Sequence, residues 1–429
     1  MAQVRPQPRN APESHEIASH LVRLGKMIFD RRRTAGLSRA ALALRAGMSE
    51  STLKNLEAGR HRPSQLTLTQ LLSIPELGLS AADLVPGGPP TDTTLPSGPP
   101  MNCWISPGFD PIAMVHDLST RLAGQGGTIE QTFLYLDSKS AASWYAIANQ
   151  SNYATNTDSA FLHKAAMKIR ESIGNSSLEV LGLGCGDGRK EVRLVQLLTA
   201  GMPSHSILLY LLDISQPLLG HAFKHAVETL SNGVSIFAIQ GNFHHLPLYT
   251  QLLRSKRPQR RLMCMFGGTF GNLANEILYV RNNLVGQQEG DLLLLHVSRT
   301  HGSRERPAEI MRQDPYLSGS IPAELNQLQR EWLTGPIERY SRPVGAPVPE
   351  MEVQTRFDTS SCPVPGSYAI EFSVLVRGEG NERRFTMAFI KRYDREGLAE
   401  CLSSLGWEPI EIWDREVGNS LLGLFRWRG

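Results

Sequence analysis

Alternating glycines within residues 178–190 constrain the fold of this 429-residue chain more than any other feature. The glycines are Gly182, Gly184, Gly186 and Gly188. A short apolar run precedes them, and residues 191–198, which follow, have apolar positions at helical spacing. This order predicts a strand, a tight turn and a helix. Glycine lets such a turn bend sharply and approach a ligand closely, because no Cβ stands in the way.

The glycine spacing excludes a dinucleotide fingerprint, which needs the pattern G-x-G-x-x-G. If the pattern starts at Gly182, its last position is Asp187, and if it starts at Gly184, its last position is Arg189. The spacing instead resembles the G-x-G-x-G loop of class I S-adenosylmethionine (SAM)-dependent methyltransferases, whose ligand has no pyrophosphate. The alternative, a strand-to-helix turn that binds nothing, remains open from the glycines alone.

Polar residues or glycines follow each of the next three predicted strands, which cover residues 206–212, 234–240 and 261–266. Asp213 ends the first of these strands, where an acidic residue holds ribose hydroxyls in open α/β sheets. The second strand is followed by Gly-Asn-Phe at 241–243 and the third by Gly-Gly-Thr-Phe-Gly-Asn at 267–272. An open α/β sheet binds its ligands at these carboxyl ends, so a nucleoside-type site is predicted there.

The composition indicates an ordinary globular protein, with 41% hydrophobic and 20% charged residues. The net charge of +3 is unevenly distributed. Residues 1–85 contain twelve Lys and Arg against seven Asp and Glu, a net +5, and the remainder carries −2. Nucleic acid contact is therefore expected only at the amino-terminal end.

The five cysteines form no C-x-x-C pair, which argues against a zinc or disulfide framework and predicts reduced thiols and no metal. The sequence shows no apolar run long enough for a membrane span and no signal peptide. We expect a cytoplasmic protein.

Residues 16–85 are predicted to form a small all-α domain, following disordered residues 1–14. Ser38 and Ser49 are placed to cap two short helices that a turn at Gly47 separates. This pattern, with Glu-Ala-Gly-Arg-His-Arg-Pro at 57–63, resembles the helix-turn-helix of the lambda-repressor/Cro-like family.

In that geometry the start of the second helix faces base edges, and flanking basic residues contact phosphates. The expected base-reading residues are Ser51, Thr52, Lys54 and Asn55. The expected phosphate contacts are Arg39, Arg60 and Arg62. The domain is expected to bind duplex DNA as a homodimer. The alternative is a domain that has lost DNA binding and serves dimerisation or peptide docking.

A Pro- and Gly-rich linker at 86–101 separates the helix-turn-helix domain, 15–85, from a second domain at 102–429. The second domain has a predicted core at 176–300, with a fifth strand at 291–296, and substrate-covering parts at 130–165 and 301–395. Helical residues 307–340 and carboxyl-terminal strands with an antiparallel arrangement complete it. The predicted fold class is α/β: a Rossmann-like sheet with an added antiparallel and helical region, plus the small all-α domain.

Several segments are similar to the histidine Nα-methyltransferases of ergothioneine biosynthesis. They are Asp-Ile-Ser at 213–215, Gly-Asn-Phe at 241–243 and the glycine-rich segment at 267–272. The resemblance implies SAM binding by Gly182, Gly184, Gly186, Gly188, Lys190, Asp213, Ile214, Ser215, Gly241, Asn242, Phe243, Phe266, Gly267 and Thr269. It also implies a substrate site of Tyr135, Tyr153, Asn272, Met387 and Phe389, in which Asn272 and Tyr153 orient the reacting amine.

The chain departs from that family at three places. Gly182 stands where an acidic residue is usual, and Asn242 replaces an aspartate. Met387 and Phe389 occupy the positions of a glutamate and a serine that hold the imidazole of histidine in the family. A thioether and a phenyl ring cannot orient an imidazole by hydrogen bonds, so the resemblance carries over SAM binding and amine methylation but not histidine.

The expected function is therefore N-methylation of an amino acid, amine or peptide other than free histidine, in secondary metabolism and linked to DNA binding. One alternative is a SAM- or ligand-sensing regulator whose methyltransferase-like domain is catalytically weak. Another is a nucleic-acid methyltransferase, although 267–272 lacks the Asn-Pro-Pro-Tyr type of motif. His244 and His245 are candidate bases, but loop histidines are commonly surface or packing residues, and neither is assigned.

Overall fold

The computed structural model describes most of the chain after residue 11. The described residues are 12–60, 63, 67, 71, 74–77, 79, 102–106, 109–150, 159–174, 176–200, 207–230, 233–248, 253, 259–284, 287–302, 306–341, 347–378, 381–415 and 419–429. The predicted linker at 86–101 and the predicted site residues Tyr153 and Arg62 lie outside them. The chain divides into two compact units, residues 1–95 with 248–254 and residues 96–247 with 255–429.

The first unit contains three described α-helices: α1 Pro12–Thr34, α2 Arg39–Arg45 and α3 Glu50–Glu57. A 3₁₀ turn, Pro75–Leu77, follows. Because α1 begins at Pro12, the prediction of disorder is wrong for residues 12–14. Proline at the first helical position lacks only an N–H that would have no partner inside the helix, and its fixed φ suits the helix.

The two predicted caps in this unit are confirmed. The Ser38 hydroxyl accepts a hydrogen bond from the Ala41 N–H, and the Ser49 hydroxyl accepts one from the Thr52 N–H. Gly47 between the helices has φ +58°, a left-handed conformation that favours glycine. Apolar residues of all three helices form one buried core: Leu24, Ile28, Leu42, Ala43, Ala46, Leu53 and Leu56.

The described residues of the second unit contain one mixed sheet of twelve strands. Their bounds are β1 Asn102–Ile105, β2 Gly126–Thr128, β3 Ser177–Leu183, β4 Ile207–Asp213, β5 Val234–Gln240, β6 Gln259–Met265, β7 Leu292–Arg299, β8 Glu350–Asp358, β9 Tyr368–Gly378, β10 Asn381–Tyr393, β11 Trp407–Arg415 and β12 Ser420–Trp427.

Helices and 3₁₀ turns connect these strands. The helices are α4 Pro111–Ala123, α5 Ser138–Ala148, α6 Ser159–Ile173, α7 Arg189–Thr199, α8 Gln216–Thr229, α9 Glu276–Asn283, α10 Pro307–Gln313, α11 Pro315–Ser318, α12 Ala323–Tyr340 and α13 Arg395–Ser403. The 3₁₀ turns are Gln131–Tyr135, Phe243–Leu248 and Phe270–Asn272.

The parallel part of the sheet has the order β1-β5-β4-β3-β6-β7. Its first crossovers lead outward from β3 to β4 and β5, and the chain then returns to β6 on the other side of β3. The order therefore reverses at β3, which is the switch point where open α/β sheets bind ligands. The glycine-rich turn lies directly after this strand.

Antiparallel strands close the sheet beyond β7, as predicted. Strand β12 pairs with β7 and β11 in antiparallel fashion, whereas the carboxyl-terminal end of β10 pairs with β7 in parallel. Strands β9 and β8 extend the sheet from β10 in antiparallel fashion. Strand β2 pairs with β10 over residues 384–386 and brings the segment after it beside this part of the sheet.

The predicted strands of the core match the observed strands closely, whereas two details differ. Strands β1 and β2 are not predicted, because four- and three-residue strands carry too little periodicity to be recognised. Residues 307–340 form three helices instead of one continuous helical region. Asp314 ends α10 in an extended conformation and caps α11 by accepting the Tyr316 N–H.

The parallel strands form the core of the second unit. Every residue from Leu178 to Leu183 and from Leu292 to Ser298 is buried, as expected when helices cover both faces of a parallel sheet. In the part of the chain that the structure describes, we find no helix with the length and apolar character needed to cross a membrane.

Candidate active site

A cavity of about 470 Å³ lies at the carboxyl ends of the parallel strands. Its walls come from the glycine-rich turn, the ends of β4, β5 and β6, the segment after β2, and β10. The predicted site residues that line it are Tyr135, Gly184, Gly186, Asp213, Ile214, Phe243, Gly267, Thr269, Asn272, Met387 and Phe389. Residues from distant parts of the sequence are thus brought into one cavity.

Two glycines of the turn lie at points where a side chain would not fit. Gly184 and Gly186 have φ +64° and +56°, and a Cβ at Gly186 would lie 2.6 Å from Cη2 of Trp144. A Cβ at Gly184 would lie 2.9 Å from Cγ2 of Thr269. The turn is therefore closely covered by neighbouring side chains, and the cavity lies against its backbone.

Asp213 is fixed beside the glycine-rich turn by two backbone groups. Its Oδ2 accepts a hydrogen bond from the Gly186 N–H, and its Oδ1 accepts one from the Ser215 N–H, both at 2.8 Å. Burial raises the pKa of the Asp213 carboxyl to about 6, although these N–H groups oppose the shift. Each oxygen retains a second lone pair, so the carboxylate is able to accept two ligand hydroxyls.

Some residues that follow β5 and β6 line the cavity, and others support the residues that line it. Phe243 lines the cavity, whereas Asn242 is buried and its side-chain oxygen accepts the His244 N–H at 3.0 Å. Thr269 lines the cavity, and its hydroxyl donates to the Phe266 carbonyl at 2.8 Å. Asn242 thus braces this turn, and its predicted role in SAM binding stays a prediction.

The segment that carries Asn272 is bound to β10 by a buried lysine. Lys391 Nζ donates to the Leu273 carbonyl and to Glu276 Oε2, both at 2.6 Å, and Lys391 and Glu276 are each 1% exposed. The Tyr393 hydroxyl donates to the other oxygen of Glu276 at 2.5 Å. These contacts fix the position of Asn272 relative to β10.

A bulge in β10 brings consecutive residues to the cavity. The register between β10 and β9 shifts between Thr386 and Ala388, and Met387, Ala388 and Phe389 all line the cavity. In a regular strand, successive side chains alternate between the two faces of the sheet. The bulge interrupts this alternation, so three consecutive residues reach the same cavity. This wall of the cavity is apolar.

Lys190 and Phe266 line a smaller neighbouring cavity of about 310 Å³, together with Glu191. The two cavities share Trp144, Gly184, Gly267 and Thr269 as lining residues. Gly182 does not line the main cavity; a Cβ at this position would lie 2.8 Å from Cγ of Glu191.

Three further residues that are predicted to bind SAM support the turns and strand ends around the cavity. Gly188 has φ +70° and is the amino-terminal cap of α7, where a Cβ would lie 2.7 Å from Cβ of Ala222. The Gly241 N–H donates to the Asp213 carbonyl, and Ser215 is 1% exposed. These three residues hold the strand ends in place.

Several residues of the cavity were not assigned from the sequence. His244 and His245, which loop statistics favour as surface or packing residues, both line the cavity, as do Glu130 and Trp144. Nε2 of His244 lies 4.0 Å from Oε1 of Glu130. Burial lowers the pKa of both histidines, and the Glu130 carboxylate partly opposes this shift. The Gly-Asn-Phe motif at 241–243 can be identified from the sequence, and the two histidines directly follow it. This adjacency is the sequence signal that points to them.

On the helix-turn-helix unit, the described residues among the predicted DNA contacts lie on α3, shortly after it, and at the start of α2. Ser51, Lys54, Asn55 and Arg60 are exposed, and Thr52 is partly buried. Arg39 donates through Nε to Glu57 Oε2 at 2.9 Å. Arg32, which is 7% exposed, bonds the other carboxylate oxygen of Glu57. Arg39 therefore also stabilises the unit itself.

Comparison with known proteins supports the domain type predicted for each of the two units. Residues 114–303 match the family model described as histidine-specific, SAM-dependent methyltransferase. The chain carries a SAM-dependent methyltransferase domain. Residues 23–84 match a helix-turn-helix domain model, so the two predicted domain types and SAM as cofactor are confirmed. The mixed α/β sheet confirms the predicted fold class.

Solved structures from several bacteria are similar to parts of this chain. The CcbJ methyltransferase of Streptomyces caelestis is 14% identical, with a TM-score of 0.33, over 66% of this chain and 98% of its own. The magnesium protoporphyrin IX methyltransferase ChlM of Synechocystis is 10% identical, with a TM-score of 0.36, over 69% and 97%. The restriction-modification controller protein C.AhdI of Aeromonas hydrophila is 25% identical, with a TM-score of 0.15, over 16% and 98%. A search of curated proteins found no match.

Proposed function

We propose that the methyltransferase domain transfers a methyl group from SAM to the amine nitrogen of a small molecule or peptide with an apolar or aromatic part, and that free histidine is not its substrate. The observation that carries this proposal is the apolar wall of β10. Met387, Ala388 and Phe389 line the cavity, and Met387 is fully buried. An imidazole placed against this wall would find neither a donor nor an acceptor in these side chains.

The residues at the strand ends suit the nucleoside part of SAM. Asp213 offers two oriented carboxylate oxygens for ribose hydroxyls, and Phe243 lines the adjacent cavity wall. Gly184 and Gly186 of the glycine-rich turn line the same cavity, and glycine lets a backbone approach a ligand closely. When bound, SAM supplies an electrophilic methyl group on its sulfonium sulfur.

The substrate end of the cavity combines aromatic residues with polar groups, among them Glu130, His244 and Asn272. Tyr135 packs edge-to-face against Trp144, with 5.9 Å between ring centroids, and Phe389 lies on β10. We infer that Asn272, which lines the cavity and belongs to a segment bound to β10 by Lys391, orients the substrate amine by its side-chain amide. Orientation supplies most of the rate gain in such a displacement, because the leaving group is already good.

We assign the proton acceptor to His244, with Glu130 as its partner. An amine attacks only when it is neutral, so the site needs a group that accepts the ammonium proton. Burial lowers the pKa of His244 and keeps the imidazole neutral and able to accept. The Glu130 carboxylate, 4.0 Å away, would stabilise the imidazolium that forms.

We propose that the helix-turn-helix unit binds duplex DNA as a homodimer. Ser51, Lys54 and Asn55 are directed outward from α3, and Arg60 is exposed next to it. In a helix-turn-helix complex we expect these side chains of α3 to meet base edges and Arg60 to contact phosphates. Leu44 on α2 is 83% exposed and offers an apolar contact for a second copy.

A panel of free amino acids, aromatic amines and peptides with free amino termini tests the methyltransferase proposal. The full chain is incubated with SAM and each compound, and mass spectrometry detects products heavier by one methyl group. We expect product from amines with apolar or aromatic parts. If SAM binds but no compound is methylated, the alternative of a ligand-sensing regulator gains support.

A further inference from the structure

The smaller cavity beside the glycine-rich turn is lined by two residues of opposite charge. Lys190 and Glu191, the second and third residues of α7, both line it, and Glu191 is 2% exposed. Consecutive helical residues project about 100° apart. One side chain therefore reaches toward the end of β6 and the other toward the end of β3.

The positions of the two charged groups follow from the glycines that they approach. A Cβ at Gly267, just after β6, would lie 3.4 Å from Nζ of Lys190. A Cβ at Gly182, near the end of β3, would lie 3.4 Å from Oε1 of Glu191 and closer still to its Cγ. The ammonium and the carboxylate thus lie at the carboxyl ends of adjacent strands, within one cavity.

The backbone conformation at position 182 does not require glycine. Gly184, Gly186 and Gly188 have positive φ, whereas Gly182 does not. What excludes a side chain at position 182 is the Cγ of Glu191, 2.8 Å from where a Cβ would be. The space that a residue at 182 would otherwise fill is occupied by the Glu191 side chain.

We propose that the carboxylate of Glu191 binds the α-ammonium group of the methionine part of SAM, while Lys190 binds its carboxylate. A helix side chain would then supply the negative charge that position 182 lacks. The proposal rests on the SAM site at the strand ends described above. The shared lining of the two cavities, Gly184, Gly267 and Thr269, connects this pair with the site of the nucleoside part.

The charge of the ligand suits this pair of residues. Burial raises the pKa of the Glu191 carboxyl and lowers the pKa of the Lys190 ammonium, because each charged form loses hydration. A zwitterion that placed its ammonium at Glu191 and its carboxylate at Lys190 would stabilise both charged forms. Glu191 also lies in the first turn of α7, where the helix dipole favours a negative charge.

Two ligands that differ in the amino-acid part test the proposal. S-Adenosylhomocysteine (SAH) carries both charged groups, and 5′-methylthioadenosine keeps the nucleoside and the thioether but has neither charge. Calorimetric titration of the full chain should show that Glu191→Gln weakens SAH binding about tenfold or more. The affinity for 5′-methylthioadenosine should change by less than about threefold.

Asp187→Asn is the matched control, because Asp187 lines the same cavity but pairs with Arg189 at 3.3 Å. It should leave the preference for SAH over 5′-methylthioadenosine nearly unchanged. Glu191→Ala combined with Gly182→Asp should recover part of the SAH affinity, because the removed side chain opens the space at 182. Thermal unfolding of each variant checks that it is folded.

The outcomes separate this inference from the proposed function. If Glu191→Gln alters both affinities equally, or neither, Glu191 is only the buried charge partner of Lys190 and the inference is wrong. If the parent protein binds SAH but methylates no amine, the proposed function fails while the inference stands. If the parent binds neither ligand, the SAM site at the strand ends is wrong and the inference falls with it.

Discussion

Lys391 Nζ and Glu276 Oε2 form a buried ion pair at 2.6 Å that joins β10, which lines the substrate cavity, to the segment carrying Asn272. The lysine also donates to two backbone carbonyls of that segment, Leu273 and Ala274. Burial raises the pKa of Glu276, and Lys391 opposes that shift. The pair is therefore both a structural support and the element that determines where Asn272 lies.

Lys391→Met should destabilise the methyltransferase domain by about 3–5 kcal/mol, because it leaves a buried carboxylate without its cation. Thermal unfolding measures the loss. The matched control is Lys168→Met, which removes an exposed lysine paired with Glu171 at 2.9 Å and should leave the midpoint unchanged. Equal midpoints for Lys391→Met and the parent would contradict this role.

The affinity for SAH should depend on pH through Asp213. Ribose hydroxyls need the ionised carboxylate as an acceptor, so binding lowers the pKa of Asp213 from its value of about 6 in the free protein. The contribution of Asp213 to the affinity is therefore complete above that pH and is lost as the pH falls through it, approaching about tenfold per pH unit.

Asp213→Asn identifies the source of this pH dependence. The variant should bind SAH at least about tenfold more weakly at pH 8, because it loses a charge-assisted hydrogen bond worth about 1.5–3 kcal/mol. Its affinity should no longer fall between pH 7 and pH 5 in the way that the parent's does. A calorimetric pH series in which parent and variant run in parallel would remove Asp213 from the ribose site.

Gly186→Ala should weaken SAH binding, because the new methyl group would lie 2.6 Å from Trp144 and must displace the turn or the indole. The control is Gly174→Ala, whose φ of +57° imposes a similar strain of about 1–2 kcal/mol, with nothing within 4 Å of the added Cβ. Both variants should lose some thermal stability. Only Gly186→Ala should lose SAH affinity, and an equal loss in both would show that strain alone is responsible.

The helix-turn-helix unit should distinguish two kinds of DNA contact. Arg60→Ala should weaken binding of the full chain to every duplex alike and reduce the salt dependence by about one phosphate contact, whereas Asn55→Ala should relax sequence preference by about 1–3 kcal/mol. Gel-shift titrations at several salt concentrations with the promoter DNA of the gene provide the measurement. If neither the parent nor the variants retard any duplex, the docking alternative replaces DNA binding.

The residues at the strand ends of the candidate site could be predicted from the sequence, because each of them follows a recognisable buried strand. Each buried strand is a continuous apolar run, and Asp213, Phe243 and Thr269 follow such runs directly. Parallel strands bring their carboxyl ends to one edge of a sheet. The helix-turn-helix was predictable for a similar reason, because Ser38 and Ser49 cap within their own local sequence.

The opposite wall of the cavity could not be predicted in the same way. The bulge at Met387 has no local signature, and it adds Ala388 to the residues that face the cavity. Glu130 reaches the cavity because β2, a three-residue strand, pairs with β10. The contact between Gly182 and Glu191 joins a strand to the helix packed beside it, and periodicity reveals a buried face but not its partner.

Exchange of the β10 side chains tests why histidine is excluded. Met387→Glu with Phe389→Ser should raise the rate of histidine methylation, because the polar pair would satisfy ring groups whose burial without partners costs about 1–3 kcal/mol each. Met387→Leu with Phe389→Leu is the control, since it changes shape but adds no hydrogen-bonding group. A gain in both double variants would indicate a steric effect instead.

The rate of SAH release by the parent protein, measured in parallel on free histidine and on the aromatic and apolar amines of the panel, tests the central claim most directly. We expect histidine to be slower by about one to two orders of magnitude than the best of these amines, with mass spectrometry showing a methyl group on the amine nitrogen. Efficient methylation of free histidine would contradict the account, because the wall formed by Met387 and Phe389 would then not determine the substrate.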